Sequence, residues 1–142
     1  MILRQTRLLV ADNSGAKVAM CIGMLGKPDH VAAIGRVITV AIKDARPVPQ
    51  GTASTTTGPN GSAASGSAGG KVRRGQVHRA LVIRTKKEFQ RADGRVLRFD
   101  DNACVLLTPD FRPLGTRVTG PVPMELKRGN WLKVLSLSSK VV

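Results

Sequence analysis

VITVAIK, residues 37–43, alternates without a break: Ile38, Val40 and Ile42 fall on one side of an extended chain, and Thr39, Ala41 and Lys43 on the other. Successive side chains of a strand point to opposite faces, so the stretch reads as a half-buried β-strand. The same period runs through residues 76–87, where Val77, Leu81 and Ile83 occupy odd positions and His78, Arg84 and Lys86 even ones. That pattern predicts one packed face and one basic face. Residues 8–11, 17–25 and 103–108 are further short apolar runs, and Asp93-Gly94 and Asp100-Asp101-Asn102 are turn signals bracketing a strand over 95–99. No helical period shows before residue 120. Six or so short strands with few long connections are best satisfied by a small barrel, which leaves few unpaired edges. Beyond Gly120-Pro121 the spacing predicts a small helical tail over 121–142: a short helix over 123–128 ended by Gly129, then a second packed element over 131–137.

The chain of 142 residues suits one domain, 1–142, with 42% hydrophobic residues to fill a single core. Residues 48–70, VPQGTASTTTGPNGSAASGSAGG, hold no charge and almost no side chain large enough to bury, so they read as a low-complexity insertion. The formal net charge of +14, from 23 Lys and Arg against 9 acids, therefore belongs to the rest of the chain. Such an excess repels itself and suits a polyanionic partner. The longest mainly apolar stretch, 31–42, is short and broken by Gly35, Arg36 and Thr39, so no membrane span is expected. The opening MILRQTRLLV enters strand-like sequence at once, which leaves no room for a targeting signal.

Catalytic readings fare poorly. In ADNSGAK (11–17), Ser14 lacks a recognisable triad context, whereas Asp12 and Asn13 can bond local backbone and Gly15 tolerates positive φ, so the stretch reads as a turn. Asp100 and Asp101 are neighbours that point apart. GSAGGKV (66–72) lacks the first glycine and the closing Ser or Thr of a phosphate loop. His30, His78, Cys21 and Cys104 are too scattered for a metal site, and the two cysteines, each inside an apolar run, are expected as buried free thiols. Neither a metal nor another cofactor is expected, and no enzyme.

The cations remain. Lys17, Lys43, Arg46, Lys71, Arg73, Arg74, Arg79, Arg84, Lys86, Lys87, Arg91, Arg95 and Arg98 form the expected RNA-facing set. With three Phe, one Trp and no Tyr there are too few rings for single-strand stacking, so contact is expected with phosphates and sugars of folded, largely double-helical RNA. Trp131 reads as a core or partner anchor. A free-standing nucleic-acid chaperone on a small barrel is the competing function.

The order of ADNSGAK (11–17), MCI (20–22), GRVI (35–38), VIRTKK (82–87), DGRVLRFDDNACVLL (93–107) and GTRVTGPVPMELK (115–127) resembles the family of large-subunit ribosomal protein fourteen, of bacterial or organellar type. The resemblance implies a five-stranded β-barrel with short C-terminal helices, bound to large-subunit rRNA at the face that meets the small subunit. It implies neighbouring large-subunit proteins and small-subunit rRNA across an intersubunit bridge as partners. It further implies that a ribosome silencing factor docks on Thr116, Arg117 and Lys133. The family has only a short connection where residues 48–70 stand. An expansion of that composition points to a mitochondrial ribosome, with a plastid or bacterial one as alternatives.

Overall fold

The computed structural model describes residues 1–26, 31–47 and 72–142, among which nine strands occur. They are β1 (Arg7–Val10), β2 (Ala16–Met24), β3 (Val37–Ala45), β4 (Val77–Arg84), β5 (Phe89–Gln90), β6 (Val96–Leu97), β7 (Ala103–Leu107), β8 (Val118–Val122) and β9 (Ser138–Val141). Five of these close a barrel in the order β1-β2-β3-β4-β7. All its neighbours are antiparallel except the seam, where β1 runs parallel to β7 through Leu9↔Ala103 and Val10↔Cys104. Closing so few strands demands strong coiling, and the register shifts along β2, at Ala16/Val18 and Cys21/Gly23, supply it.

Ile38, Val40 and Ile42 all point into the barrel, where they meet Leu8, Ala19, Cys21, Val82 and Leu106. The alternation of residues 37–43 is thus the inside–outside pattern of a barrel wall. Each large side chain so buried contributes about 1.5–3 kcal/mol. The insertion at 48–70, Lys71 and His30 lie outside the described residues.

Strand β4 departs from the alternating expectation. Ala80 to Arg84 are buried on both faces, as are all five residues of β7, and Val77, expected to pack, is exposed. A second apolar layer explains it: Leu81, Ile83, Val105 and Leu107 turn outward against Val118, Val122, Leu126 and Val134 of the C-terminal segment. The tail covers the outer wall of the barrel.

That tail carries two short helical elements where they were expected. Met124–Gly129 is a 3₁₀ turn and Leu132–Ser136 a short α-helix, α1. The left-handed residue that ends the 3₁₀ turn is Asn130 (φ 61°), not Gly129. Gly129 is needed for another reason: a Cβ there would sit 2.8 Å from Cδ1 of Trp131, whose ring packs on the outer apolar layer. The chain then returns as β9, parallel to β8. The strand expected over 95–99 is only β6, paired in a small hairpin with β5. Among the described residues, no helix is long and apolar enough to cross a membrane.

Candidate nucleic-acid interface

Residues 11–17 form a turn that clasps two distant segments. Asp12 Oδ1 accepts from the Ser14 amide at 2.9 Å and from the Ser14 hydroxyl, and Oδ2 accepts from the Leu106 amide at 2.8 Å. Gly15, at φ +99°, makes the reversal. Asn13 holds the bend before β8: its Oδ1 accepts from the Thr116 amide at 2.8 Å and its Nδ2 donates to Thr116 Oγ1 at 2.9 Å. Gly115 makes that approach possible, because a Cβ on it would lie 2.7 Å from Asn13 Oδ1. The turn read from the sequence is confirmed, with a reach the local pattern did not show.

Beside this clasp the loop ends converge. The Arg46 amide donates to Gly15 O at 2.8 Å, the Val72 amide to Ser14 O at 3.2 Å and the Gly75 amide to Ile42 O at 2.9 Å. The barrel therefore gathers Lys17, Lys43, Arg46, Arg73 and Arg74 at one end, all exposed and without a side-chain partner among the described residues. Asp44 is the exposed acid among them.

Other cations of the expected set serve the fold. Arg84 is a correction to the strand-face reading: it is only 7% exposed. Its Nε and Nη2 donate to Asp101 Oδ1 and Oδ2 at 2.9 and 3.0 Å, and Nη1 donates to the carbonyls of Thr119 and Pro121 at 3.1 and 3.2 Å. Four of its five N–H groups are taken by protein acceptors and the residue is buried, so Arg84 is braced within the fold rather than set out on a basic strand face. Arg79 donates to Pro109 O at 2.7 Å and lies 4.8 Å over the Phe111 ring. Arg91 donates through Nη2 to Val142 O at 2.8 Å and holds Nε 2.7 Å from Glu125 Oε1, and Arg95 bonds Asp93 at 2.7 Å.

At the barrel's other end Lys86, Lys87 and Arg98 are exposed. Lys87 pairs with Glu88, whose carboxyl that hydrogen bond holds below the usual range, with Arg98 adding to the effect. Arg4 and Arg7 lie exposed on the same side and were not in the expected set, since each stands singly in the chain. Their signal was position: Arg4 precedes β1 and Arg7 opens it, and the start of that strand faces that end.

The groups that catalysis would need are quiet. Both cysteines are free and buried, and burial pushes both thiols up, Cys104 far beyond the ordinary thiol range. No group of three or more His, Cys, Asp or Glu is placed to hold a metal among the described residues.

A family model described as Ribosomal protein L14p/L23e matches residues 1–142, the whole chain. The chain belongs to the L14p/L23e family. It is accordingly a structural constituent of the large ribosomal subunit, from a family that is not enzymatic, and it associates with rRNA and other ribosomal proteins. In this L14p/L23e chain Thr116, Arg117 and Lys133 are all exposed. One backbone bond, Val118 N to Leu137 O at 3.0 Å, joins the start of β8 to the residue that caps α1, and Leu137 N donates in turn to Lys133 O at 3.2 Å within the helix, so Lys133 lies one helical turn from that junction, on the same corner of the tail as Thr116 and Arg117.

Proposed function

We propose that the protein ties into large-subunit rRNA through the phosphates of folded, largely double-helical RNA, using Lys17, Lys43, Arg46, Arg73 and Arg74 as the principal contacts. Lys71, Lys86, Lys87 and Arg98 complete the set, whereas Arg79, Arg91 and Arg95 contribute less because protein groups hold them. The observation that carries this reading is the convergence of exposed cations, unpartnered among the described residues, on one barrel end. Affinity then comes mostly from phosphate neutralisation and falls steeply with salt.

The rings argue against the chaperone alternative. Phe99 is buried, Trp131 packs on the outer apolar layer and Phe89 is half-buried, which leaves Phe111 as the one exposed ring, with Arg79 over one face, and a single ring makes no stacking platform for successive bases.

The corner formed by Thr116, Arg117 and Lys133 is the protein-contact side, facing the small subunit at an intersubunit bridge and open to a ribosome silencing factor. The composition of residues 48–70 supports a mitochondrial ribosome.

Co-sedimentation tests the RNA contact: the wild type should stay with the large subunit through moderate salt, and the triple change Lys43→Ala, Arg73→Ala, Arg74→Ala should release it at lower salt. Release at the same salt as the wild type would refute the assignment of that end. Arg117→Ala and Lys133→Ala should leave large-subunit association intact and alter subunit joining.

A further inference from the structure

Leu107 ends β7 opposite Arg79 of β4, and the chain turns back at once: Leu107 bridges Pro113, and the Thr108 amide donates to Arg112 O at 2.8 Å. The turn runs from Thr108 to Phe111, with Pro109 in its second position and the Phe111 amide donating to Thr108 O at 3.0 Å. Short hairpins of this length place a left-handed residue after the turn, and glycine is the usual one. Here the residue is Phe111, at φ 59°. A bulky side chain there is a backbone outlier, and outliers that their surroundings hold in place cluster at functional positions.

Two side chains do the holding. Thr108 Oγ1 accepts from the Arg112 amide at 3.2 Å, and Arg79 Nη1 donates to Pro109 O at 2.7 Å. The same Arg79 guanidinium lies 4.8 Å from the centre of the Phe111 ring, yet the residue stays 44% exposed. The ring is fixed on one face and open on the other.

Its surroundings are cationic. Arg112 is exposed beside it, and Arg73 and Arg74 are exposed on the approach to β4, at the same end of the barrel. Asp110 is the exposed acid of the turn. An aromatic face among guanidinium groups suits a planar ligand that carries its own negative charge. A nucleotide is such a ligand: its base stacks on the ring and its phosphate meets an arginine. With a cation behind the ring drawing on its electrons, the open face favours the larger and more electron-rich purine. A base inside a duplex is already stacked on its neighbours, so the base that reaches Phe111 is an unpaired one turned out of its helix.

We propose that Phe111 is the seat of a single unpaired purine bulged from an rRNA helix, with Arg79 as the positioning residue that fixes the ring and Arg112 as the contact to the neighbouring phosphate. The inference rests on the RNA-binding function proposed above and adds the feature that sets where along a helix the protein stops.

The test measures the affinity of the full chain, at about 150 mM salt, for two RNA duplexes that differ by one extra, unpaired adenosine. The wild type should bind the bulged duplex about tenfold tighter, within the range that one stacked base contributes. Phe111→Asn, which tolerates the left-handed backbone, should bind both duplexes alike, with an unchanged or higher urea midpoint. Phe111→Trp should keep the preference, and its added indole fluorescence should be quenched by the bulged duplex alone. An abasic residue in place of the adenosine should abolish the preference. Equal wild-type affinity for the two duplexes, or a preference that survives Phe111→Asn or the abasic bulge, would overturn the seat and leave RNA binding standing. Were Phe111→Asn to loosen the protein from the large subunit and leave both duplex affinities unchanged, the ring would belong to a protein neighbour and the seat would fall. Absence of wild-type binding to either duplex together with loss of large-subunit co-sedimentation would overturn the functional reading itself.

Discussion

Arg84→Ala should unfold this protein more readily and leave its RNA contacts untouched. The substitution strips hydrogen bonds from the carbonyls of Thr119 and Pro121 and breaks a two-pronged pair with Asp101. Each orphaned carbonyl costs about 1 kcal/mol. A fully buried pair broken on one side costs 3–5 kcal/mol, but the Asp101 side chain is 30% exposed, so about 1–2 kcal/mol is the fitting share here. The sum is about 3–4 kcal/mol. With a urea m-value of about 1.5–2 kcal/mol/M for a chain of this size, the midpoint should drop by about 2 M at unchanged m. Lys86→Ala, two positions on and exposed, should move stability by less than about 0.5 kcal/mol. RNA titrations on the folded Arg84→Ala protein should keep the wild-type salt slope. A stability loss below about 1 kcal/mol, coupled to a slope reduced by about one unit, would show that Arg84 faces phosphate and that the buried network is misassigned.

Gly120 stands at φ +83°, and a Cβ there would meet Arg84 Nη1 at 2.7 Å, so Gly120→Ala should cost about 2 kcal/mol by denaturant unfolding. Combined with Arg84→Ala it should cost less than the sum of the two, since the clash partner is gone. Asp12→Ala frees the buried Leu106 amide and the Ser14 turn; it should destabilise by about 2–3 kcal/mol, and amide exchange at Leu106 should accelerate markedly. Burial lowers the His78 pKa, with Asp12 opposing the shift only partly. The unfolded chain then binds the proton more readily, so stability should rise with pH through the window just below the ordinary imidazole value and fall as pH drops through it. Comparing urea midpoints at pH 5.5 and 7.5 in the wild type and in His78→Gln checks this, because the substitution should shrink the difference.

The barrel was legible because its strands obey a two-residue period where only one face packs. Ile38, Val40 and Ile42 went where the alternation put them, and Asp12, Asn13 and Gly15 made the turn their chemistry favours. The rule failed on β4 and β7, whose outer faces are covered by the tail. With both faces dry, Leu81, Val82 and Ile83 read as a continuous run and Arg84 takes an inward role that alternation alone assigns to solvent. Its partner Asp101 was in view only as part of a turn cluster, since a pairing between β4 and that turn depends on the fold. The parallel partnership of β8 and β9 was hidden for a related reason: SSKV alternates nothing, and its pairing bonds are backbone to backbone. For the RNA-facing set, sequence supplied the inventory of cations, and burial sorted it into contacts and braces.

The parallel seam between β1 and β7 governs how this molecule can be built. Strands β1 and β2 can zip together early, and β3 can pair with β4 before β7 exists, yet Leu9 must wait for Ala103 before the cylinder exists at all. The segment from Val118 onward, which seals the outer wall, is made later still. During synthesis the barrel can therefore close only after β7 has left the exit tunnel, and its outer wall is sealed only after the segment from Val118 onward has followed.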